Sequence, residues 1–215
     1  MRLVLLGKPG SGKGTQSKFI AGAYSIPAIS TGDLIRAAIG EGTELGRRFK
    51  TFTDSGLLVP DELVVAMVGE RLSKGDCARG FLLDGFPRTI PQAEALERLL
   101  AERGLPLDCA LNIEVPDELL VERSAGRWWS PDSGATYHVR FNPPRVPGMD
   151  DATGKPLVQR DDDRPDVVRA RVAQYREKTE PLLAFYKERG LLAEVNGVGA
   201  LEEVTARVRR ALDAA

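Results

Sequence analysis

The sequence predicts an α/β protein built around a parallel β-sheet that helices cover on both faces. Apolar runs of three to six residues, the length of buried strands, occupy residues 3–6, 81–83, 110–115 and 191–195. Longer segments with a helical period separate these runs. Alternation of strand and helix is typical of a parallel sheet, because each crossover helix packs back onto one face of it.

The helical segments follow the predicted strands in order along the chain. Apolar residues recur every three or four positions in six of them: residues 15–23, 61–73, 90–103, 117–126, 166–188 and 201–213. Pro60 or Asp61 is a favourable residue to open the second of these helices. Each predicted strand is therefore followed by a helix.

Two inserts interrupt this alternation. Residues 30–60 form the first, which is helical at 33–39 and 43–54. Residues 128–160 form the second, with five of the 14 prolines and little helical period, although residues 136–141 have the composition of a strand. Its four aromatic residues indicate a small ordered module rather than a disordered loop.

Composition excludes several classes of protein. The 215 residues suffice for one domain with an insertion or two small ones, and 30 Lys and Arg against 31 Asp and Glu give a net charge of −1. A general nucleic-acid or polybasic membrane binder would be basic. The two cysteines are too few for a disulfide framework, and no apolar stretch is long enough for a signal peptide or a membrane span. We therefore expect a soluble, cytoplasmic protein.

Residues 7–15, GKPGSGKGT, have the pattern of a P-loop between a predicted strand and a predicted helix. The glycines allow backbone N–H groups to converge on phosphate oxygens at the positive end of a helix, and Lys13 adds a point charge. Gly14 stands where a Ser or Thr usually binds Mg²⁺. We therefore expect the metal to be held by nucleotide oxygens and water, with Asp84 orienting that water.

Three arginines lie on the apolar sides of predicted helices. At 100° per residue, Arg123 and Arg127 fall near Leu119 and Leu120, and Arg171 falls among apolar residues of the next long helix. An arginine in that place needs an anionic partner, which is either a carboxylate or a ligand phosphate. The shared bias of the three favours a phosphate site, although 22 of the 30 cations are Arg and compositional bias accounts for most of them.

Several separate motifs give the sequence its resemblance to the adenylate kinases, of the nucleoside monophosphate kinase family, along its whole length. They are residues 7–15, residues 29–33 with Arg36, residues 83–88 with Gln92, and the arginines Arg123, Arg127, Arg160 and Arg171. The resemblance implies a P-loop core with a five-stranded parallel sheet (residues 1–29, 60–125 and 164–215), a helical AMP-binding insert (30–59) and a small β-rich lid (126–163). It also implies a monomer that catalyses Mg²⁺-dependent, reversible phosphoryl transfer between ATP and AMP to give two ADP.

Roles carried over from the resemblance fall into three groups. The residues expected to bind ATP are Gly10, Ser11, Gly12, Lys13, Gly14, Thr15, Arg123, Thr136, Tyr137 and Gly199. Those expected to bind AMP are Thr31, Arg36, Leu57, Leu58, Val59, Gly85, Phe86, Pro87, Arg88, Gln92, Arg160 and Arg171, with the Gln92 amide on the adenine edge. Those expected to act on the transferring group are Lys13, Arg88, Arg123, Arg127, Arg160 and Arg171.

Adenylate kinases of Gram-positive bacteria often hold zinc in this insert with four cysteines. The matching positions here are Ser130, Ser133, Asp150 and Thr153, and hard oxygen ligands suit Zn²⁺ poorly, so we expect no zinc and a hydrogen-bonded lid. Gly126 and residues 161–163 are candidate hinges for lid closure. Lys8, beside the P-loop, is expected to be a solvated surface residue.

Two alternatives stay open at the level of sequence. A kinase for UMP or CMP shares most of these motifs, and Thr31 with Gln92 favours AMP. A P-loop nucleotide switch that recruits protein partners would carry a guanine-reading Asn-Lys-x-Asp motif, which the sequence lacks. A switch would also have no use for a second basic nucleotide site.

Overall fold

A computed structural model describes residues 1–54, 59–159 and 163–215, which contain seven strands and nine α-helices. The strands are β1 (Arg2–Leu6), β2 (Ala28–Ser30), β3 (Phe81–Asp84), β4 (Cys109–Glu114), β5 (Arg127–Trp129), β6 (Thr136–His138) and β7 (Leu192–Asn196). The helices are α1 (Lys13–Tyr24), α2 (Thr31–Gly40), α3 (Glu44–Asp54), α4 (Asp61–Leu72), α5 (Ile90–Glu102), α6 (Asp117–Ala125), α7 (Pro165–Lys178), α8 (Pro181–Glu188) and α9 (Leu201–Asp213).

Five strands form a parallel sheet, as the family resemblance implied, and their order is β2-β3-β1-β4-β7. In the centre, β1 pairs with β3 on one side and β4 on the other, with Leu5 opposite Asp84 and Leu6 opposite Asn112. The strands that follow β1 in the sequence lie first on one side of it (β2 and β3) and then on the other (β4 and β7). The loops at the carboxyl end of β1 therefore diverge and leave a crevice. In open α/β sheets ligands bind in this crevice.

Alternate residues of the central strand enter two separate cores. Val4 and Leu6 pack with residues of α4, α5 and α8 on one face, whereas Leu3 and Leu5 pack with residues of α1, α6, α7 and α9 on the other. All four side chains are at most 3% exposed. Burial on both faces explains why the strands are continuous apolar runs rather than alternating ones.

The first insert is helical, as predicted, and is formed by α2 and α3. Ser30 begins α2 by accepting a hydrogen bond from the Asp33 amide to its hydroxyl at 3.2 Å. Phe49 on α3 is fully buried and joins the core that contains Val4. This contact ties the insert to the sheet.

The second insert contains an antiparallel pair, β5 with β6. The strand predicted at 136–141 extends only over 136–138. It stops because His138 accepts hydrogen bonds at Nδ1 from the Arg140 and Phe141 amides, at 3.0 and 3.1 Å, which closes a turn.

The prediction of a single helix over residues 166–188 is wrong. Two helices, α7 and α8, occupy this segment and are separated by Thr179 and Glu180. Pro181 has no amide hydrogen for the preceding turn and stands at the start of α8, so the first helix ends before it. Within the described ranges, no helix is both long and apolar enough to cross a membrane.

Candidate active site

The P-loop joins β1 to α1 and leaves the first turn of α1 open. Gly12 occupies the cap position with φ of 93°, a left-handed conformation, and no side chain of the described residues caps the helix. Lys13 Nζ donates to the Lys8 carbonyl at 3.0 Å and to the Gly7 carbonyl. The Ser11 hydroxyl is buried and has no partner among the described residues. These groups form a donor-rich concavity that fits an anion.

The P-loop lysine, Lys13, lies within reach of the charges of three predicted arginines, Arg88, Arg127 and Arg171. Desolvation lowers the pKa of Lys13 to about 8; Asp84 opposes this shift, and the charges of Arg88, Arg171 and Arg127 add to it. Desolvation also lowers the pKa of Arg88, chiefly with the charge of Arg171. The fold therefore concentrates positive charge around Lys13 in a molecule whose net charge is −1.

Asp84 is the acidic group within this cluster. It ends β3, and burial raises its pKa while Lys13 and Arg88 oppose the rise. A single carboxylate beside a phosphate cradle suits Mg²⁺, which keeps several waters and takes its other ligands from nucleotide phosphates. Within the described residues there is no group of three His, Cys, Asp or Glu placed to hold a metal.

The loop after β3 joins the P-loop side of the crevice to the first insert. Gly85 has φ of 80°, and a side chain there would lie 3.2 Å from both Arg88 Nη2 and Thr31 Oγ1. Its carbonyl accepts from Thr31 Oγ1 at 2.9 Å and from Arg88 Nε at 2.8 Å. Phe86 and Pro87, which complete the predicted motif, are buried and joined by a cis peptide bond. The glycine is required because both functional side chains close onto its carbonyl.

Arg88 is supported by Gln92, which the sequence identified, and by Thr179, which it did not. Gln92 is 5% exposed; its Oε1 accepts from the Arg88 amide at 2.8 Å and its Nε2 donates to Asp61 Oδ1 at 2.7 Å. Thr179, in the break between α7 and α8, donates to the Arg88 carbonyl at 2.9 Å. Each Gln92 partner uses one of two donors or acceptors, so the amide retains capacity for an adenine edge. Pro181, which breaks the helix, was the only sequence signal for Thr179.

The prediction that three arginines lie on the apolar sides of helices is confirmed for Arg123 and Arg171 and is wrong for Arg127. Arg171 is half-buried on α7 while Arg169 is exposed, as the phase predicts. Helix α6 ends at Ala125, so Arg127 lies in β5, where it pairs with Asp163 through Nε to Oδ2 at 2.9 Å. Asp163 is 4% exposed, and the pair joins the two ends of the lid segment.

Other predicted residues lie to either side of this cluster. Arg123 is half-buried, and its Nη2 donates to the Gly197 carbonyl at 3.0 Å, which places it beside the loop that contains Gly199. Arg36 is exposed and pairs with Asp33 on the same helix. Val59 packs against the core that contains Val4. Leu57, Leu58 and Arg160 lie outside the described residues.

Asp150 is the centre of the lid. It is 1% exposed and accepts hydrogen bonds from the hydroxyls of Ser130 (2.8 Å), Tyr137 (2.7 Å) and Thr153 (2.7 Å). The predicted hydrogen-bonded lid is therefore confirmed. Tyr137 is 8% exposed, so its hydroxyl serves the lid interior, while Thr136 beside it is exposed.

The expectation that Lys8 is a solvated surface residue is wrong. Its side chain is 11% exposed and forms ion pairs with Asp117 at 2.9 Å and Glu114 at 3.3 Å. Both partners are more than 100 residues away along the chain, which is why the local sequence gave no sign of them.

Comparison with known proteins agrees with this site. The family model described as adenylate kinase matches residues 5–191. The chain is 52% identical to an adenylate kinase of Symbiobacterium thermophilum over 214 residues, which is all of this chain and 99% of that one. It is 50% identical to an adenylate kinase of Lachnospira eligens over 99% of this chain and all of the relative, and 48% identical to one of Methanococcoides burtonii over 99% of both. The chain therefore belongs to the adenylate kinase family and is a phosphotransferase.

Proposed function

We propose that the protein catalyses the reversible, Mg²⁺-dependent transfer of the γ-phosphoryl group from ATP to AMP, giving two ADP. The observation that carries this proposal is the group formed by Lys13, Arg88, Arg171 and Asp84 at the carboxyl end of β1 and β3. The group lies between a phosphate cradle on one side and the Thr31–Gly85 contact on the other. Two polyanions can therefore approach one another from opposite sides of a single positive cluster.

On the donor side, we propose that residues 10–15 hold the ATP phosphates. The uncapped first turn of α1, the buried Ser11 hydroxyl and Lys13 supply donors from three directions. Arg123, the exposed Thr136, Tyr137 and Gly199 would lie towards the base and sugar. In support, Arg123 donates to the carbonyl of Gly197, two residues before Gly199.

On the acceptor side, we propose that Thr31, Gly85, Arg88 and Gln92 bind AMP together with Arg36. Arg88 would carry the AMP phosphate, because its Nε is held by the Gly85 carbonyl and the charge of Arg171 acts on its guanidinium group. Leu57, Leu58, Val59, Phe86 and Pro87 would form the apolar and backbone walls of this side. Arg160 and Arg171 would complete the clamp.

The chemistry then follows from charge. The AMP phosphate is already ionised at neutral pH, since its second pKa is about 6, so no general base is required. Repulsion between two phosphates is the main barrier, and Lys13, Arg88 and Arg171 offset it while holding the reacting oxygens in line. When bound with ATP, Mg²⁺ would neutralise part of the negative charge that develops on the transferring phosphoryl group. Asp84 would orient its water ligands.

We also propose that residues 30–59 and 126–163 move as separate units over the core formed by 1–29, 60–125 and 164–215. Closure would exclude water, which otherwise accepts the phosphoryl group. Both cysteines are free and buried, which supports a reducing, cytoplasmic environment. Light scattering of the purified protein tests the monomer, and cell fractionation tests the location.

A panel of acceptors tests the substrate assignment. Purified protein is mixed with Mg-ATP and AMP, CMP, UMP or GMP, and ADP formation is followed by a coupled assay. We expect rapid ADP formation with AMP and a kcat/KM at least about 100-fold lower with the pyrimidine nucleotides, because the site reads an adenine edge. Activity on CMP or UMP that exceeds activity on AMP would overturn the assignment while leaving the kinase family intact.

A further inference from the structure

Lys8 is a cation of the P-loop whose side chain is mostly, but not fully, buried. Only 11% of its side chain is exposed, and Nζ lies 2.9 Å from Asp117 Oδ1 and 3.3 Å from Glu114 Oε1. Burial lowers the pKa of Lys8, but the hydrogen bond to Asp117 and the charge of Glu114 outweigh burial and raise it above its ordinary value. The ammonium group is therefore charged, and its charge is balanced by these two carboxylates rather than by solvent.

The backbone of the same residue accepts hydrogen bonds from two groups of the P-loop. The Lys8 carbonyl accepts from Lys13 Nζ at 3.0 Å and from the Ser11 amide at 3.1 Å. Any shift of Lys8 therefore moves an acceptor of Lys13. The side chain and the backbone of one residue thus connect an ion-pair network to the lysine of the phosphate cradle.

The network extends to the two helices that carry Arg123 and Arg171. Asp117 is the first residue of α6, the helix of Arg123, and its second oxygen pairs with Arg176 on α7, the helix of Arg171. The P-loop also packs closely on α6 further along, since a side chain at Gly10 would lie 2.8 Å from the Leu120 carbonyl. The P-loop therefore contacts α6 in two ways, through the ion pair of Lys8 with Asp117 and through the close packing of Gly10.

We propose that Lys8 is a positioning residue for the donor phosphates. Its ion pairs with Asp117 and Glu114 fix the P-loop against α6 and β4, and so fix Lys13 relative to Arg123 and Arg171. The inference that the phosphates positioned in this way belong to ATP rests on the proposed function. A displacement of about 1 Å in a group that contacts a reacting phosphate can reduce turnover by roughly 100-fold. The Lys8 ammonium group can therefore have a large effect on catalysis although it contacts no reacting atom.

The test compares Lys8→Met with Lys8→Arg. Methionine removes the charge at similar length, and arginine restores it. We expect Lys8→Met to weaken binding of a non-hydrolysable ATP analogue by about tenfold and to lower kcat/KM for ATP by at least as much, with KM for AMP changed less than twofold. Lys8→Arg should recover at least half of the lost affinity. Lys187→Met, at an exposed lysine on α8, is the matched control and should match the wild type.

Asp117→Asn provides an independent arm if Lys8→Met does not fold. It should reproduce the loss of analogue affinity, and in a double variant the two losses should not add, because both remove the same tie. An equal loss for ATP and AMP, a change in melting temperature alone, or additive losses would overturn the proposal. Direct binding keeps this result separate from the proposed function, which fails only if the wild type makes no ADP from ATP and AMP.

Discussion

Arg88 is held at three points before any substrate is considered. Its Nε donates to the Gly85 carbonyl, its amide donates to Gln92, and its carbonyl accepts from Thr179. The guanidinium therefore has a fixed plane and a fixed origin. A planar fork in a fixed place can bind two oxygens of one phosphate, which a lysine ammonium cannot do.

Replacing Arg88 by lysine tests this geometry at the residue scale. We expect Arg88→Lys to lower kcat by about 100-fold or more, since the two-point contact is lost while the charge remains. Steady-state kinetics with AMP measures the effect, and thermal melting checks the fold. Arg98→Lys, at an exposed position of α5, is the control. A variant that retains more than half of wild-type kcat would show that only the charge matters.

Lys13 gives a second prediction at this scale, through pH. Because desolvation lowers its pKa to about 8, Lys13 is mostly charged at pH 7 and mostly neutral at pH 9. Phosphate binds the charged form, so affinity for a non-hydrolysable ATP analogue should fall by about tenfold over this range. Calorimetric titration measures it. In Lys13→Arg the dependence should vanish, since arginine stays protonated; a wild-type affinity that is constant between pH 7 and 9 contradicts the account.

At the scale of elements, the lid depends on one carboxylate. Hydrogen bonds, chiefly from Thr153, hold the pKa of Asp150 far below its ordinary value although burial acts in the opposite direction. A depressed carboxyl pKa contributes stability that is complete above about pH 4, the unfolded value, and is lost as pH falls towards the folded value. The lid should therefore be acid-sensitive below about pH 4.

Asp150→Asn tests the role of this carboxylate, because an amide cannot accept all the hydroxyls that point at it. The protein's only two tryptophans, Trp128 and Trp129, lie in the lid, so intrinsic fluorescence reports this element. We expect the fluorescence-detected melting temperature to fall by several degrees at pH 7 and its acid dependence below pH 4 to disappear. Asp132→Asn, which breaks an exposed pair with Lys155 in the same element, should have little effect. Equal effects of the two substitutions would contradict this view.

The helices and strands differ in how far the sequence predicted them. Four of the five parallel strands and the cradle were predictable because burial on both faces and glycine spacing are local signals. The pattern did not mark β2, which is three residues long and begins at the exposed Ala28. Phase placed Arg171 correctly since α7 continues through it, but failed for Arg127 because α6 ends at Ala125. The ion pairs of Lys8 and the contact of Thr179 with Arg88 were unpredictable, since each joins residues at least 91 positions apart.

At the scale of the whole molecule, the proposed exclusion of water requires residues 126–163 to close over the core. In this structure Lys18 on α1 donates to the Gly134 carbonyl in the lid at 2.7 Å, so the lid turn already reaches the core beside the cradle. Such a single exposed contact is weak and can break and re-form. Gly126 is one proposed hinge; the other, residues 161–163, includes two positions that lie outside the described residues.

The substitutions Asp132→Cys in the lid and Lys187→Cys in the core introduce two cysteines that can carry probes. The distance between the two probes tests this motion. Both native cysteines are buried, so labelling is expected to be selective. We expect the distance distribution to become shorter and narrower when an analogue that joins ATP and AMP through their phosphates is bound. One unchanged distribution with and without the analogue would contradict gating by residues 126–163.

Direct transfer between two nucleotides in one positive crevice can be followed with a labelled phosphate. The protein is mixed with Mg²⁺, AMP and ATP that carries the label in its γ-phosphate, and early products are separated. We predict that the label appears in the β-phosphate of ADP, with one labelled and one unlabelled ADP formed for each ATP consumed. Release of the label as inorganic phosphate, or its failure to leave ATP when AMP is present, would contradict the account.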